Sequence, residues 1–262
     1  MRLLVRTLSE LCLTVGLLTV LLVVYLLYWT GVRADGAMRG ELDRLHRQWS
    51  AGPAAGRPDP GHDGSGDSAS DAPGAEPGSN TRPSQSGSAG SRSVPAAQPP
   101  PPPSAYRSGA PFAVMYIPRL GAHWAKPVLQ GTGTALLKKG LGHYPGTAPL
   151  GAVGNFAVAG HRRTYGDPFK DLPRLRPGDA VVLTDGTSWF TYRVDTPPYR
   201  TLPDDTTVLD PVPAEAGRTR PGRYLTLTTC DPEWGHSHRL IVWGHLDEVS
   251  PASGGKPKAL PG

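Results

Sequence analysis

The chain has 262 residues and a formal net charge of +5, and it is rich in glycine (33) and proline (30). Between residues 111 and 250, however, 15 Lys and Arg face 13 Asp and Glu, which is too balanced for a nucleic-acid-binding surface. Because the sequence also has no G-x-x-x-x-G-K-[ST] loop to hold phosphates, it argues against nucleic-acid and nucleotide chemistry.

The first predicted element is a transmembrane helix over residues 11–30. No charged residue occurs from Leu11 to Trp29, and these 19 residues at about 1.5 Å each approach the roughly 30 Å of a bilayer's hydrocarbon layer. Tyr25, Tyr28 and Trp29 cluster at the far end, where aromatic rings favour the membrane interface. The alternative is a cleavable signal peptide, although its apolar core usually has about 7 to 15 residues.

On either side of this span we predict a cytoplasmic N-terminus over residues 1–10 and a juxtamembrane amphipathic helix over residues 31–50. The helix is indicated by apolar side chains at helical spacing, which are Met38, Leu42, Leu45 and Trp49. The flanking basic residues do not fix the orientation, because more of them follow the span than precede it.

Residues 51–110 are predicted to be a disordered linker. Val94 and Tyr106 are its only sizeable apolar residues, in a background of Gly, Ser, Pro, Ala and Asp that cannot bury a core. The five prolines at 99–103 favour a stiff polyproline II spacer, with a docking motif for a proline-binding module as the alternative.

Residues 111–250 are predicted to form an all-β domain, a single closed barrel with short helices, and residues 251–262 a flexible tail. Short runs of β-branched and aromatic residues alternate there with Gly, Pro and Asp. The predicted strands are Ala113–Ile117, Asn155–Ala159, Ala180–Thr184, Ser188–Val194, Tyr224–Thr229 and Arg239–His245. The dipeptide Asp185-Gly186 indicates a hairpin, and short helices are predicted at Leu136–Lys139 and Asp167–Leu172.

Cys230 is the candidate nucleophile. The other cysteine, Cys12, lies in the apolar N-terminal run, so Cys230 has no disulfide partner within the chain. A buried structural thiol is one alternative. Zinc binding with His236 and His238 is another, but the spacing is poor and the domain has a single cysteine.

His161 and Arg239 are the candidate partners of that thiol. His161 directly follows the apolar strand NFAVAG, so its imidazole is placed at a strand end for general acid and base work. Arg239 opens the run RLIVWG, where a guanidinium can stabilise the oxyanion of acyl transfer. The alternatives are a surface-loop histidine, and a salt bridge from Arg239 to Glu233 or Asp231.

Three segments together resemble the sortase family: GNFAVAGHRRTYGDPFKDL at 154–172, TLTTC at 226–230 and HRLIVWG at 238–244. They are similar to that family's histidine segment, its T-L-x-T-C signature and its arginine strand, in the family's order. The resemblance covers roughly residues 113–246. The N-terminal helix, the linker, the absence of a carboxyl-terminal membrane segment and the Ala, Gly, Pro and Arg bias are most similar to class E sortases of actinobacteria.

This resemblance implies an eight-stranded sortase-type β-barrel and a cysteine transpeptidase without cofactor or metal. It also implies a single-pass protein of the plasma membrane, with the catalytic domain outside the cell. The implied substrates are secreted proteins with a C-terminal L-A-x-T-G or L-P-x-T-G-like sorting signal, cleaved between Thr and Gly through a thioester at Cys230. The acceptor is an amine of a peptidoglycan precursor, or a pilin lysine. Tyr116 and Thr229 are the predicted substrate-binding residues.

Two other functions stay open at this point, a non-catalytic membrane-tethered barrel that binds wall or partner peptides and a sortase-like hydrolase. The segment 231–236 departs from the family, because DPEWGH follows the cysteine where Thr-Pro or His-Pro is common. Its two acidic side chains would either raise the pKa of Cys230 or attract a cationic acceptor amine. No acidic loop indicates a calcium site.

Overall fold

The computed structural model of the protein describes residues 2–50 and 106–260. The linker predicted over residues 51–110, including its proline run, lies almost entirely outside the described residues. The first element is the long helix α1, Arg2–Ser50. In the part of the chain that the structure describes, no helix combines the length and the apolar character that crossing a membrane requires. The span predicted at residues 11–30 therefore stays a prediction.

The second half of α1 packs on the globular part of the chain. Met38 and Leu45 are buried on one face of the helix, as the apolar spacing of the juxtamembrane segment indicates. The Met38 side chain lies so close to Gly166 that a Cβ there would be 2.3 Å from the methionine Cε atom. Trp49 packs equally closely on Gly186, in the predicted Asp185-Gly186 hairpin, where a Cβ would lie 2.5 Å from the tryptophan ring.

Nine strands and several short helices follow. The strands are β1 (Pro111–Tyr116), β2 (Ala125–Gln130), β3 (Leu141–His143), β4 (Gly154–Ala159), β5 (Ala180–Thr184), β6 (Ser188–Val194), β7 (Tyr199–Thr201), β8 (Arg223–Asp231) and β9 (His238–Pro251). The short helix α2 spans Thr134–Leu137. Single 3-10 turns occupy Pro118–Leu120, Leu172–Arg174, Thr207–Leu209, Ala214–Ala216 and Ala252–Gly254.

Eight of these strands close into a ring in the order β6-β5-β1-β2-β3-β4-β8-β9, because β9 also pairs with β6. The short β7 pairs with β9 at Tyr199↔Ile241, ahead of the part of β9 that β6 covers. The long strand β9 therefore has three neighbours. Closure pairs each of the eight ring strands on both sides, so the ring itself has no open edge that could pair with other chains.

The core fills the barrel and depends on the alternation of side chains along each strand. On β8, Leu225 and Leu227 point inward and join the main apolar cluster, which also contains Phe156 of β4. On β9, Ile241 and Trp243 point outward and pack in a second cluster under the turns around 207–216. β8 and β9 are thus covered on both faces, so they form rigid supports for the side chains at their ends.

The all-β barrel of eight strands is confirmed, and all six predicted strands are present. Five agree within two residues at each end, whereas β9 runs six residues past its predicted end at His245. β2, β3 and β7 were not predicted. The tail expected from residue 251 begins with ordered structure, because the Ala252 amide donates to the Thr187 carbonyl at 2.8 Å and extends β9 into a 3-10 turn.

His143 gives the fold a dependence on pH. Its ring is buried, stacks on Phe156 at 4.7 Å and contacts the Gln130 and Ala148 oxygens at 2.7 and 3.1 Å. Burial lowers the pKa of His143 to about 4, whereas the unfolded chain titrates near 6.5.

We therefore expect stability to fall as the pH drops from about 6.5 to about 4, because the unfolded chain binds the proton that the folded chain excludes. The pKa difference sets an upper bound of about 3 kcal/mol on this loss. Denaturant unfolding of the whole chain at several pH values measures it. The variant His143→Gln should have a flatter stability profile over that range, and an unchanged slope would contradict the assignment to His143.

Candidate active site

Three neighbouring strands meet at one end of the barrel, and each carries one predicted catalytic residue there. β4 and β8 are adjacent and parallel, so His161, just past the end of β4, lies at the same edge as Cys230 near the end of β8. β9 runs antiparallel to β8 and begins at that edge, where Arg239 is its second residue. The topology thus brings together three residues that are far apart in sequence.

Cys230 and Arg239 are opposite each other in the ladder between β8 and β9. Their Cα atoms are direct partners in the register, and directly opposed residues project their side chains from the same face of a sheet. Cys230 is a free cysteine and is partly exposed. A ligand at this face therefore reaches the thiol and the guanidinium together.

Backbone carbonyl groups orient Arg239. Its Nη1 atom donates to the carbonyl oxygens of His236 at 3.1 Å and His238 at 3.0 Å. The carboxylates considered as its alternative partners, Asp231 and Glu233, are paired with other arginines. Neutral carbonyls leave the positive charge of Arg239 in place for an oxyanion.

His161 is held by the packing of the residue before it. A Cβ on Gly160 would lie 2.6 Å from Phe169 and 2.7 Å from Leu141, so only glycine allows this close approach. The Gly160 carbonyl accepts a hydrogen bond from the Thr229 hydroxyl at 2.8 Å, which ties the end of β4 to β8. The position of the imidazole is therefore fixed relative to the strand that carries Cys230.

The imidazole of His161 is half-buried beside charged and aromatic groups. Its Nε2 atom is buried, and among the described residues it has no hydrogen-bond partner. The Tyr165 ring lies 5.2 Å from the His161 ring. Burial, and secondly the positive charge of Lys138, lower the pKa of His161 below its ordinary value of 6.5.

Replacing Lys138 with glutamine should raise the pKa of His161, because the second cause of its depression is removed. Burial is the larger cause, so the pKa should still lie below 6.5. Titration of the imidazole proton resonances by NMR, assigned with a His161→Gln variant, measures the change. The neighbouring exposed Lys139→Gln is the matched control, and an equal rise in both variants would refute the specific role of Lys138.

The two predicted substrate-binding residues occupy different places. The Thr229 side chain is buried, with its hydroxyl engaged at the Gly160 carbonyl. Tyr116 ends β1, which runs parallel to β4 and β8 and so ends at the same end of the barrel, but lies four strands from β8 in either direction. Its ring is 5.8 Å from Trp189. Both binding roles stay predictions.

Sequence reasoning missed one residue near the site. The Tyr144 hydroxyl contacts the Thr228 hydroxyl at 3.0 Å. Thr228 precedes Cys230 by two positions on β8 and therefore projects from the same face. Tyr144 thus lies next to the face that carries the thiol, and no sequence pattern indicated it, because the short strand β3 that precedes it was not predicted either.

The loop between β8 and β9 is fastened to the segment that follows His161. Glu233 pairs with Arg163 at 3.2 Å, and the same guanidinium stacks at 3.8 Å on the ring of Trp234. Trp234 is 75% exposed, so this arginine is what the ring packs against on one side. The loop and the histidine segment thereby form one rim of the site.

The zinc alternative finds no ligand cluster. In residues 2–50 and 106–260, as far as they are described, no group of three or more His, Cys, Asp or Glu is placed to hold a metal ion. His238 accepts a hydrogen bond at Nδ1 from Arg200 at 3.1 Å. Its ring is therefore engaged by a cation and takes part in the charged contacts around the loop.

Residues 115–247 match the protein family described as the sortase domain. The chain belongs to the sortase family. The predicted family is confirmed, and sortases are cysteine transpeptidases. The matched residues include all three predicted catalytic positions.

Class E relatives are similar to this sortase over most of its length. It is 32% identical to sortase SrtE1 of Streptomyces coelicolor, over 97% of this chain and 60% of SrtE1. Sortase SrtE2 of the same organism is 28% identical, over 98% of this chain and 88% of SrtE2. The chain thus spans less than two thirds of SrtE1.

Solved structures agree with this relationship. Sortase E from Streptomyces avermitilis has a TM-score of 0.57 at 69% identity, over 60% of this chain and 100% of that one. Sortase E1 from Streptomyces coelicolor, with a tripeptide in the active site, has a TM-score of 0.55 at 40% identity over the same shares. The predicted class E assignment is supported by these similarities.

Proposed function

We propose that this sortase is a membrane-anchored cysteine transpeptidase. It cleaves an L-A-x-T-G or L-P-x-T-G-like C-terminal sorting signal between Thr and Gly and transfers the protein to an amine of a peptidoglycan precursor. The observation that carries the proposal is the direct pairing of Cys230 with Arg239, beside His161 at the end of the adjacent strand. The tripeptide in the active site of sortase E1 supports a peptide substrate.

In the first half-reaction the Cys230 thiolate attacks the carbonyl carbon of the signal's threonine. The oxyanion that forms is stabilised by the Arg239 guanidinium, whose orientation the loop carbonyls already fix. When the C–N bond breaks, protonated His161 gives its proton to the leaving amine of glycine. The product is a thioester between Cys230 and the threonine acyl group, with neutral His161.

In the second half-reaction an acceptor amine attacks the thioester carbonyl. His161, now neutral, accepts the proton that the amine loses, and the C–S bond breaks to restore the Cys230 thiolate and protonated His161. The buried, unpartnered Nε2 atom of His161 suits this exchange, since no protein acceptor competes for it among the described residues. A pilin lysine in place of the wall precursor would use the same steps.

We assign selection of the signal to Tyr116 and Thr229 as part of this proposal. Tyr116 ends β1 at the same end of the barrel as Cys230, but on the far side of the ring. A signal that reaches from Cys230 to Tyr116 would therefore lie across that end of the barrel in an extended conformation. In this proposal the half-buried Tyr116 ring would limit the size of the second side chain of the signal.

Anchoring in the plasma membrane by residues 11–30, with the catalytic domain outside the cell, is also part of the proposal. Its support is the uncharged sequence of that segment and the exposure of its described apolar side chains, which are Leu11, Leu13, Val15, Leu17, Leu18, Val20, Leu21, Leu22, Val23 and Val24. Membrane fractions of cells, washed with alkaline carbonate and treated with protease from outside, test both points. Release by carbonate, or protection of the barrel from protease, would refute them.

The proposed reaction is tested by intact mass spectrometry of the whole chain in detergent, incubated with a peptide carrying L-A-A-T-G, with and without a glycine-based amine. We expect an acyl adduct that the amine converts into a ligated peptide. Release of the acid even with amine present would indicate a hydrolase. No adduct, together with a Cys230 that resists iodoacetamide, would favour the non-catalytic binding barrel.

A further inference from the structure

Four charged or polar side chains form a continuous set of contacts beneath the candidate active site. They are Arg162, Asp231, Arg200 and His238, which we call the arginine–aspartate network. Arg162 directly follows His161, Asp231 directly follows Cys230, and His238 directly precedes Arg239. Each predicted catalytic residue therefore has a sequence neighbour in this network.

Asp231 is the centre of the network. One carboxylate oxygen pairs with the Arg162 guanidinium, and the other accepts from Arg200 Nε at 2.8 Å. Arg162 also donates to the Cys230 carbonyl at 3.4 Å, and Arg200 donates to His238 Nδ1 at 3.1 Å. The side chains of Arg162 and Asp231 are only 11% and 14% exposed, so solvent screens this pair weakly.

The network lies on the opposite face of the strands from the catalytic groups. Asp231 alternates with Cys230 along β8 and is paired with His238 of β9, so these two project away from the thiol and from Arg239. Arg200 of β7 lies opposite Leu240, whose side chain joins the core on that same face. The network therefore supports the strand ends from below and leaves the reacting face open.

These contacts indicate the role of the two acidic residues after the cysteine, Asp231 and Glu233. Asp231 is paired with two arginines and Glu233 with Arg163, so neither carboxylate is free to attract an acceptor amine. Nor does Asp231 project from the face of the thiol that it was expected to affect. Its contacts point instead to a mechanical role.

We infer that Asp231 is a positioning residue that holds the ends of β4, β7, β8 and β9 in one register. The Thr229 hydroxyl binds the Gly160 carbonyl, and the Asp231 carboxylate binds Arg162. These two contacts bracket the nucleophile and the histidine on β8 and β4, while Arg200 extends the same restraint to the start of β9. The inference rests on the proposed transpeptidase function.

The variant Asp231→Asn separates positioning from simple electrostatics. Arg162 and Arg200 bind different oxygens of the carboxylate, and asparagine replaces one of these oxygens with an NH2 donor, so one arginine loses its acceptor and the strand ends lose a shared restraint. We expect the rate of acylation by the L-A-A-T-G peptide to fall about a hundredfold, because small errors in the placement of reacting groups have costs of this order. The rate of Cys230 alkylation by iodoacetamide should stay equal or rise, since it needs the thiol alone and loses a nearby negative charge.

Three further variants control this result. Asp247→Asn removes another ion pair between strands, that of Arg193 on β6 with Asp247 on β9 at 3.0 Å, away from the site, and should leave both rates unchanged. Asp231→Glu keeps the charge and should restore part of the acylation rate. Arg200→Gln breaks one of the two contacts at a half-exposed position, so it should fold and lose less acylation than Asp231→Asn.

The assay of the whole chain distinguishes failure of the proposed function from failure of the positioning role, provided that thermal melting shows each variant to be folded. If wild type forms no acyl adduct, the proposed function fails. If wild type acylates and folded Asp231→Asn acylates equally fast, the positioning role is wrong. A rise in both acylation and alkylation would make Asp231 an electrostatic brake on the thiol instead. If Asp231→Asn does not fold, Arg200→Gln decides, and undiminished acylation there overturns the inference.

Discussion

Replacing Cys230 with alanine should abolish the acyl adduct while leaving the barrel folded. The adduct needs the sulfur atom, and in the described part of the chain Cys12 is the only other cysteine, on the helix α1. Cys230 is partly exposed at a strand end, outside both apolar clusters, so its loss should change stability little. Intact mass spectrometry with the L-A-A-T-G peptide measures the adduct, and thermal melting measures the fold.

Cys12→Ala is the matched control, because it removes the other thiol and should acylate like wild type. Peptide mapping after iodoacetamide treatment then distinguishes the two cysteines in the unmodified chain. An acyl adduct that persists in Cys230→Ala would remove Cys230 as the nucleophile. An adduct lost in both single variants would mean that the assay reports on something other than the nucleophile.

Periodicity predicted the strands that carry their own apolar pattern, and missed those that do not. β5 and β6 were predicted to the residue, since both are continuous β-branched or aromatic runs around a hairpin. β2 contains Pro127, which argues against a central strand, and β3 and β7 have only three residues each. These strands exist because their neighbours supply the pairing, which a local pattern does not contain.

The candidate catalytic residues could be found from the sequence because each lies in a specific motif at a strand end. The sequence could not show whether the acidic residues after Cys230 raise the pKa of its thiol, attract an acceptor amine or do neither. Asp231 meets Arg162 and Arg200, which lie 69 and 31 residues before it. Only the parallel pairing of β4 with β8 and the docking of β7 on β9 bring these charges together. An acidic residue next to a cysteine is therefore ambiguous until its partners are known.

Replacing Arg239 with alanine should lower the rate of acylation by about 100- to 1,000-fold, the usual loss for one oxyanion donor. The guanidinium is opposite Cys230 in the ladder and is oriented by the carbonyls of His236 and His238. Because it acts on charge that develops only in the transition state, kcat and kcat/KM should fall together, with KM for the peptide little changed. Steady-state and single-turnover kinetics with the L-A-A-T-G peptide measure these quantities.

Arg239→Lys distinguishes the shape of the group from its charge. Lysine keeps the positive charge but lacks the planar fork that binds the loop carbonyls and an oxyanion at once, so it should recover only a small part of the lost rate. Arg193→Lys, on β6 and paired with Asp247, is the control and should acylate like wild type. Full activity of Arg239→Lys would show that charge alone suffices, and full activity of Arg239→Ala would show that the oxyanion is stabilised elsewhere. In either case the orientation of Arg239 by the loop carbonyls would then serve the stability of the loop and not the reaction.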